Sequence, residues 1–89
     1  MIVSNMINNN GNKVPNQFII EDDNGNEYFQ SYDSMIVKRD EDGEISLDWN
    51  YWDYSRTTSK YRNIFLNETT QDTKRKIDSG EYRLVDLNR

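Results

Sequence analysis

Residues 45–66, ISLDWNYWDYSRTTSKYRNIFL, contain the change from strand to helix that decides the fold. At the start of this stretch Ile45 and Leu47 alternate with polar neighbours, which is the two-residue period of a half-buried strand. An aromatic run follows and ends at Ser55, a residue type that commonly caps the first turn of a helix. The stretch therefore predicts a strand, an aromatic connection and a helix that starts near Ser55 or Thr57. Its apolar stripe comprises Thr58, Tyr61, Ile64, Phe65 and Leu66.

Upstream of this stretch, the segment 40–44 (DEDGE) predicts a tight turn between two strands. A three-residue loop gives Gly43 the left-handed conformation that glycine tolerates. In that register Val37 faces Leu47, so the two strands bury apolar side chains against each other.

The dipeptide Asn-Gly at 24–25 predicts an earlier hairpin, because a type I′ turn needs positive φ at both central residues. A two-residue loop there pairs Ile20 with Phe29 and Phe18 with Ser31. One face of the hairpin then gathers the apolar side chains, which favours this register.

Beyond the first helix, the chain predicts a second helix and a closing strand. Thr69 and Asp72 have nearly the spacing of a capping box, and Gly80 is a typical stop after a helix that ends near Asp78. Residues 81–86 form the last strand. The predicted order is ββββααβ, an α+β fold whose small antiparallel sheet consists of two hairpins plus a C-terminal strand, with two helices on one side.

The first thirteen residues are polar and carry an Asn-rich segment with little to bury. We expect residues 1–13 to form a flexible N-terminal arm. Residues 14–89 are then a single α+β domain, since a chain of 89 residues is too short for two cores.

The composition excludes several classes of protein. The chain has no cysteine and no histidine, which removes disulfides, thiolate sites and the commonest general base. No glycine-rich phosphate loop is present, and no carboxylate stands isolated in an apolar setting. No apolar run approaches the roughly 18 residues of a membrane span, and the first residues lack signal-peptide features. We expect an intracellular protein that is not an enzyme and uses no metal, cofactor or membrane.

The net charge of −5 is divided unevenly along the chain. Residues 1–54 carry eleven acids against three bases, whereas residues 55–89 carry eight bases against five acids. Such asymmetry can mark a protein or nucleic-acid partner. The plain alternative is that the two halves attract each other within the fold.

The acids of the first half concentrate at the tips of the two predicted hairpins. They do not have the ligand spacing or flanking helices of a calcium loop, so turn chemistry explains the loops better. The two tips can share one rim of the sheet, where they could bind a basic partner or simply keep the protein soluble. The candidate partner-binding residues are Glu21, Asp22, Asp23, Glu27, Asp40, Glu41, Asp42 and Glu44.

A second candidate site lies at the start of the first helix, where hydroxyls, bases and aromatics share about two turns. This combination suits a phosphate or a single-stranded nucleic acid, bound through backbone amides, cations and stacking. The alternative is that the hydroxyls cap the helix and the bases meet the acidic hairpins. The candidate residues are Tyr54, Arg56, Thr57, Lys60 and Arg62.

The expected core lies where the first helix meets the sheet. We predict that Trp52 and Phe65 are buried there, above apolar strand residues. The strand residues beneath them are Phe18, Ile20, Val37 and Leu47.

Two segments carry a resemblance to a known group of proteins. The segment YFQSYDS at 28–34 and the spacing LDxxYWDYSxTTxKYRxxFL at 47–66 resemble an uncharacterised family of small proteins from phages and mobile elements of low-GC Gram-positive bacteria. The resemblance covers about residues 16–88. It implies a phage accessory protein in the cytoplasm of the infected host, and it brings no catalytic residues with it.

Together these observations predict a phage-encoded, non-enzymatic protein that binds and inhibits a host or defence protein handling nucleic acid. An anti-CRISPR-like or similar counter-defence role is the analogy for such small acidic proteins. The alternative is a single-stranded nucleic-acid-binding accessory protein that uses the basic helix start. A third hypothesis is a structural subunit that oligomerises through an exposed sheet edge. The sequence leaves the partner and the oligomeric state open.

Overall fold

Six strands form one sheet in chain order, and two helices lie between the fifth and sixth strands. The structure is a computed structural model that describes residues 1–89. The strands are β1 (Ile2–Ile7), β2 (Lys13–Glu21), β3 (Glu27–Ser31), β4 (Ser34–Arg39), β5 (Ile45–Asp48) and β6 (Arg83–Val85). The helices are α1 (Arg56–Leu66) and α2 (Thr70–Asp78).

The α+β class is confirmed, but the sheet is mixed and has one strand more than expected. Strands β1 to β5 pair antiparallel, whereas β6 runs parallel to β5. The connection through α1 and α2 returns the chain to the end of the sheet where β5 starts, so β6 enters in the same direction. The prediction of a purely antiparallel sheet is therefore wrong.

The extra strand is β1, which forms where we expected a flexible arm in residues 1–13. The Asn-rich segment is an ordered turn: Asn8 Oδ1 accepts hydrogen bonds from the backbone N–H of Asn10 at 2.9 Å and of Asn12 at 3.0 Å. Gly11 has a φ of 80° in this turn. Because the Asn8 side chain closes the turn, the chain reverses there and β1 pairs with β2, although β1 has few buried residues.

Turns of the same type close the two acidic hairpins. Asp22 Oδ1 accepts from the backbone N–H of the residues two and four positions later, at 2.9 and 3.0 Å. Asp40 Oδ1 makes the equivalent bonds at 3.0 and 2.9 Å. Gly25 and Gly43 supply the left-handed residue in these two loops. Three loops of the protein therefore share one design, an Asx side chain that caps a three-residue turn.

This design explains why the first predicted hairpin register is wrong by one residue. The Asp22 cap favours a three-residue loop over the two-residue Asn-Gly turn, so Ile19 pairs with Phe29 and Ile20 pairs with Tyr28. Because side chains alternate along a strand, the slip moves Ile20 and Phe18 to the other face of the sheet from Phe29. The second hairpin has the predicted register, with Val37 opposite Leu47.

The core lies between the sheet and the helices. Phe29 stacks on Phe65 of α1 with ring centroids 6.0 Å apart. A bulge in β4 adds one residue, and both Ile36 and Val37 are fully buried as a result. Burial of Phe65, Val37 and Leu47 in this core is confirmed, whereas Ile20 is buried outside it. Trp52 and Phe18 are only partly buried, which corrects the expected core.

Candidate functional site

The two acidic hairpin tips lie side by side at one end of the sheet. They are close enough that a methyl group on Gly25 would lie 3.4 Å from Cβ of Glu41. A cleft of about 240 Å³ between them is lined by residues from both hairpins, among them Glu21, Asp22, Glu27, Arg39 and Asp40. We call this end the acidic rim, defined by Glu21, Asp22, Asp23, Glu27, Asp40, Glu41, Asp42 and Glu44.

Four of these eight acids have partners within the fold. Asp22 and Asp40 cap their turns, Glu27 forms an ion pair with Arg39, and Asp23 forms one with the N-terminal amino group of Met1. Hydrogen bonds from the side chain and backbone of Asn26 are the main reason that the pKa of Asp22 falls to about 2. Five of the eight side chains are exposed to solvent, namely Glu21, Asp23, Glu41, Asp42 and Glu44.

Arg39 is the only cation that lines the cleft of the acidic rim. Its guanidinium pairs with Glu27, donates to the carbonyl oxygen of Phe65 at 3.0 Å and lies 4.5 Å from the centroid of the Phe65 ring. These contacts tie Arg39 to the end of α1, where the carbonyl groups carry partial negative charge. Arg39 is therefore a structural cation, and it leaves most of the rim's negative charge uncompensated.

The basic helix start is partly available for a ligand. Ser55 caps α1 by accepting from the backbone N–H of Thr58 at 3.1 Å, and the first turn of α1 contains no acid. The side chains of Arg56, Thr57 and Lys60 are exposed, as is Tyr54 just before the cap.

Arg62 is not part of that surface, because it is fully buried. Its Nη1 donates to the carbonyl oxygen of Trp52 at 2.5 Å and lies 3.2 Å from Asp53 Oδ1. Its Nη2 donates to Asn63 at 2.9 Å and to Thr70 at 2.8 Å. The expected role of Arg62 in anion binding is therefore wrong: it joins the aromatic connection to both helices.

The spacing of residues along α1 could have predicted the burial of Arg62. Arg62 is four residues after Thr58 and three before Phe65, and both of those residues are buried. A position between two buried positions on the same helix face is favoured for burial, whatever its charge. Burial then favours the hydrogen bonds that Nη1 and Nη2 of Arg62 donate, whereas its Nε has no partner.

Exposed aromatic side chains occupy the opposite end of the sheet. Trp49 follows β5 and is 60% exposed, and Tyr54 is exposed nearby in the chain. Tyr32 lies in the turn between β3 and β4 with a φ of 55° and is exposed as well. We call these three residues the aromatic rim. Of these three residues, the sequence predicted a binding role for Tyr54 alone.

Many residues that carry the family resemblance stabilise the fold. Thr58 shares a buried hydrogen bond of 2.8 Å with Ser31, which joins α1 to β3. Asp48 is buried and accepts from the backbone N–H of Asn50, Tyr51 and Leu87 at 3.1, 2.9 and 2.9 Å. The pattern therefore describes how the helix and the C-terminal segment attach to the sheet.

The structure contains no cluster of three or more acidic side chains arranged to hold a metal ion. Neither helix has the length and apolar character needed to cross a membrane. Three of the surface clefts are lined mainly by polar side chains.

These features define a small α+β protein that separates acidic side chains at one end of its sheet from aromatic side chains at the other. The chain belongs to the family of unknown function DUF8033, whose model matches residues 1–81. No curated protein and no solved structure matches the chain.

Proposed function

We propose that this protein is a non-enzymatic binding protein that docks its acidic rim on a basic surface of another protein. The observation that carries the proposal is the contact between the two hairpin tips, which unites two separate acidic segments into one surface. Of its eight carboxylates, five extend into solvent, and the one arginine of the cleft is already paired.

Electrostatics favours this use of the rim. Exposed like charges held together repel each other, and a basic partner surface relieves that repulsion. The attraction acts over a Debye length, about 8 Å at physiological salt, and raises the association rate more than the final affinity. The turn caps at Asp22 and Asp40 hold the loops in place before the partner arrives, which lowers the entropic cost of docking.

A protein that handles nucleic acid is the partner class that this surface fits best. Its substrate groove is basic, and closely spaced carboxylates can occupy it in place of phosphates. The resemblance to small phage proteins supplies the setting, namely counter-defence in the cytoplasm of an infected bacterial host. In that setting the bound protein is a host or defence protein, and docking inhibits it by blocking the groove.

Capture from a bacterial host lysate tests the proposal with two matched variants. Glu41→Gln with Asp42→Asn removes two charges from the rim, and Asp33→Asn with Asp78→Asn removes two exposed charges elsewhere. We expect the wild type and the second variant to retain one stoichiometric partner protein. The rim variant should release that partner at a lower salt concentration than the wild type does. Equal retention by both variants would overturn the proposal.

A second candidate function is binding of single-stranded nucleic acid at the aromatic rim. The observation that favours it is the exposure of Trp49 and Tyr54 together with the exposed cations Arg56 and Lys60. Exposed rings can stack on bases while nearby cations contact phosphates. Fluorescence anisotropy with a labelled single-stranded oligonucleotide would detect it. Binding should fall steeply with salt and be lost in Trp49→Ala, but be retained when Arg83, which lines a cleft with Glu44 at the acidic end, is changed to Gln.

A further inference from the structure

The two edges of the sheet differ in their protection against pairing with another strand. Strand β6 has only three residues, and one of them is charged. Strand β1 has six residues, and none of their side chains is charged. Ile2 and Val3 of β1 are 64% and 57% exposed. Proteins normally shorten or charge an edge strand to prevent edge-to-edge pairing. β6 follows that rule and β1 does not.

Charges of opposite sign lie beside the two ends of β1. Ile2 pairs with Glu21 of β2, and the N-terminal amino group of Met1 forms an ion pair with Asp23 Oδ1 at 2.6 Å, so two acids and one cation lie beside the first end. Ile7 pairs with Lys13 at the other end.

A second cation lies at that same end. Lys60 of α1 lines a cleft of about 180 Å³ together with Ile7, Tyr61 and Ile64. The edge therefore has an acidic end and a basic end, separated by an uncharged strand.

We propose that β1 is a homodimer interface, in which the β1 strands of two copies pair antiparallel and join the two sheets. A two-fold axis between the strands places the acidic end of each copy beside the basic end of the other. Glu21 and Asp23 of one copy then face Lys13 and Lys60 of the second, and the same contact occurs twice. Parallel pairing would instead place like charges together, so the charge pattern selects the antiparallel arrangement.

The apolar side chains fit the same arrangement. A two-fold axis that passes beside Asn5 places Val3 of one copy opposite Ile7 of the other. Ile7 lines the cleft with Tyr61 and Ile64, and Val3 and Ile7 are both exposed in the single chain. The dimer therefore covers apolar side chains while the new strand pair satisfies the free backbone groups of the edge.

Sedimentation equilibrium of the full chain over a range of concentrations tests the proposal. We expect a reversible dimer in the wild type. Val3→Lys places two like charges within the paired strands and should weaken the dimer by about tenfold or more. The matched control is Leu84→Lys on the protected edge strand β6, where the native side chain is 43% exposed, and it should leave the dimer unchanged.

A charge exchange tests the antiparallel arrangement with surface residues alone. Lys13→Glu with Lys60→Glu makes both ends of the edge acidic, and Glu21→Lys with Asp23→Lys makes both ends basic. Each variant alone should be monomeric, and an equimolar mixture of the two should form a heterodimer. A wild type that remains monomeric throughout would overturn the proposal. So would a dimer that Val3→Lys and Leu84→Lys affect equally, or a mixture that fails to associate.

Discussion

Arg62 and Trp52 hold each other in place: the guanidinium carbon of Arg62 lies 5.1 Å from the centroid of the Trp52 ring and Nη1 donates to the Trp52 carbonyl oxygen at 2.5 Å. The ring covers the buried cation, and the cation fixes the backbone of the aromatic connection. Trp52 also packs against the core, and its side chain is partly buried. One face of its ring packs on a charged group instead of apolar side chains.

We predict that Arg62→Ala lowers the free energy of unfolding by about 2–4 kcal/mol. The substitution leaves several buried hydrogen-bond acceptors without a donor and opens a cavity beside Trp52. Arg62→Lys should rescue little of the loss, since an ammonium group cannot reproduce the forked contacts with Asn63 and Thr70. The control is Arg56→Ala on the same helix, which should change stability by no more than about 0.5 kcal/mol. Urea unfolding measures all three, and equal effects at both positions would contradict the prediction.

Loop chemistry explains which part of the sheet could be predicted from the sequence. In the second hairpin, the only register that pairs Val37 with Leu47 agrees with the loop that Gly43 allows, so pattern and turn give the same answer. In the first hairpin, a side-chain cap by Asp22 competes with the Asn-Gly turn and shifts the register by one residue. A local pattern cannot rank these two turns, because Asp22 and the Asn-Gly dipeptide are both strong turn signals within the same short segment.

The remaining differences involve contacts between distant residues. Strand β1 was missed because the Asn-rich turn that follows it has the composition of a flexible segment. The residues of β1 become a strand through their pairing with β2, which a local pattern does not show. The parallel direction of β6 depends on where α2 returns the chain, which no local pattern encodes. The acidic rim was expected as one surface, but the sequence could not show that Asp22, Asp40 and Glu27 have partners within the fold.

The turn caps give a second prediction, drawn from a comparison within the chain. Asn8 makes in the first loop the two bonds that Asp40 makes in the third. Asp40→Asn should therefore keep the turn and leave stability nearly unchanged. Asp40→Ala removes both bonds and should cost about 1 kcal/mol. Thermal unfolding compares the two variants, and an equal loss in both would show that the charge, and not the cap, stabilises this loop.

Glu68 gives a prediction about pH. Burial raises the pKa of its carboxyl, but hydrogen bonds from Lys76, Thr73 and Tyr82 outweigh burial and hold the pKa below its usual value. The hydroxyl of Tyr82 donates to Glu68 Oε1 at 2.7 Å and Lys76 Nζ donates at 2.8 Å. This network joins the end of α1 to α2 and to the start of β6.

A carboxyl whose pKa is lower in the folded state stabilises the protein above its unfolded pKa, about 4.3 for Glu. That stability is lost as the pH falls through the folded pKa. We expect Glu68→Gln to cost about 1–3 kcal/mol at neutral pH, and the difference from the wild type to shrink below about pH 4. Urea unfolding of both proteins between about pH 3 and pH 7 measures this difference in the free energy of unfolding. A difference that stays constant across this range would show that Glu68 stabilises through packing alone.

The last prediction concerns the hydroxyl pair that joins α1 to the sheet. Ser31 Oγ and Thr58 Oγ1 lie 2.8 Å apart, and both residues are fully buried, so each hydroxyl depends on the other. Thr58→Val keeps the shape of the side chain but leaves the Ser31 hydroxyl buried without this partner, which should cost about 1–3 kcal/mol. Ser31→Ala should have a similar effect for the same reason.

The double variant removes both hydroxyls and leaves no buried polar group unpaired at this contact. We therefore expect its free energy of unfolding to exceed the value that adding the two single losses predicts, with a coupling of about 1 kcal/mol or more. Denaturant unfolding of the wild type, both single variants and the double variant completes the cycle. Additive losses would mean that each hydroxyl finds another partner once the first is gone, and that α1 is held on β3 mainly by the stacking of Phe65 on Phe29.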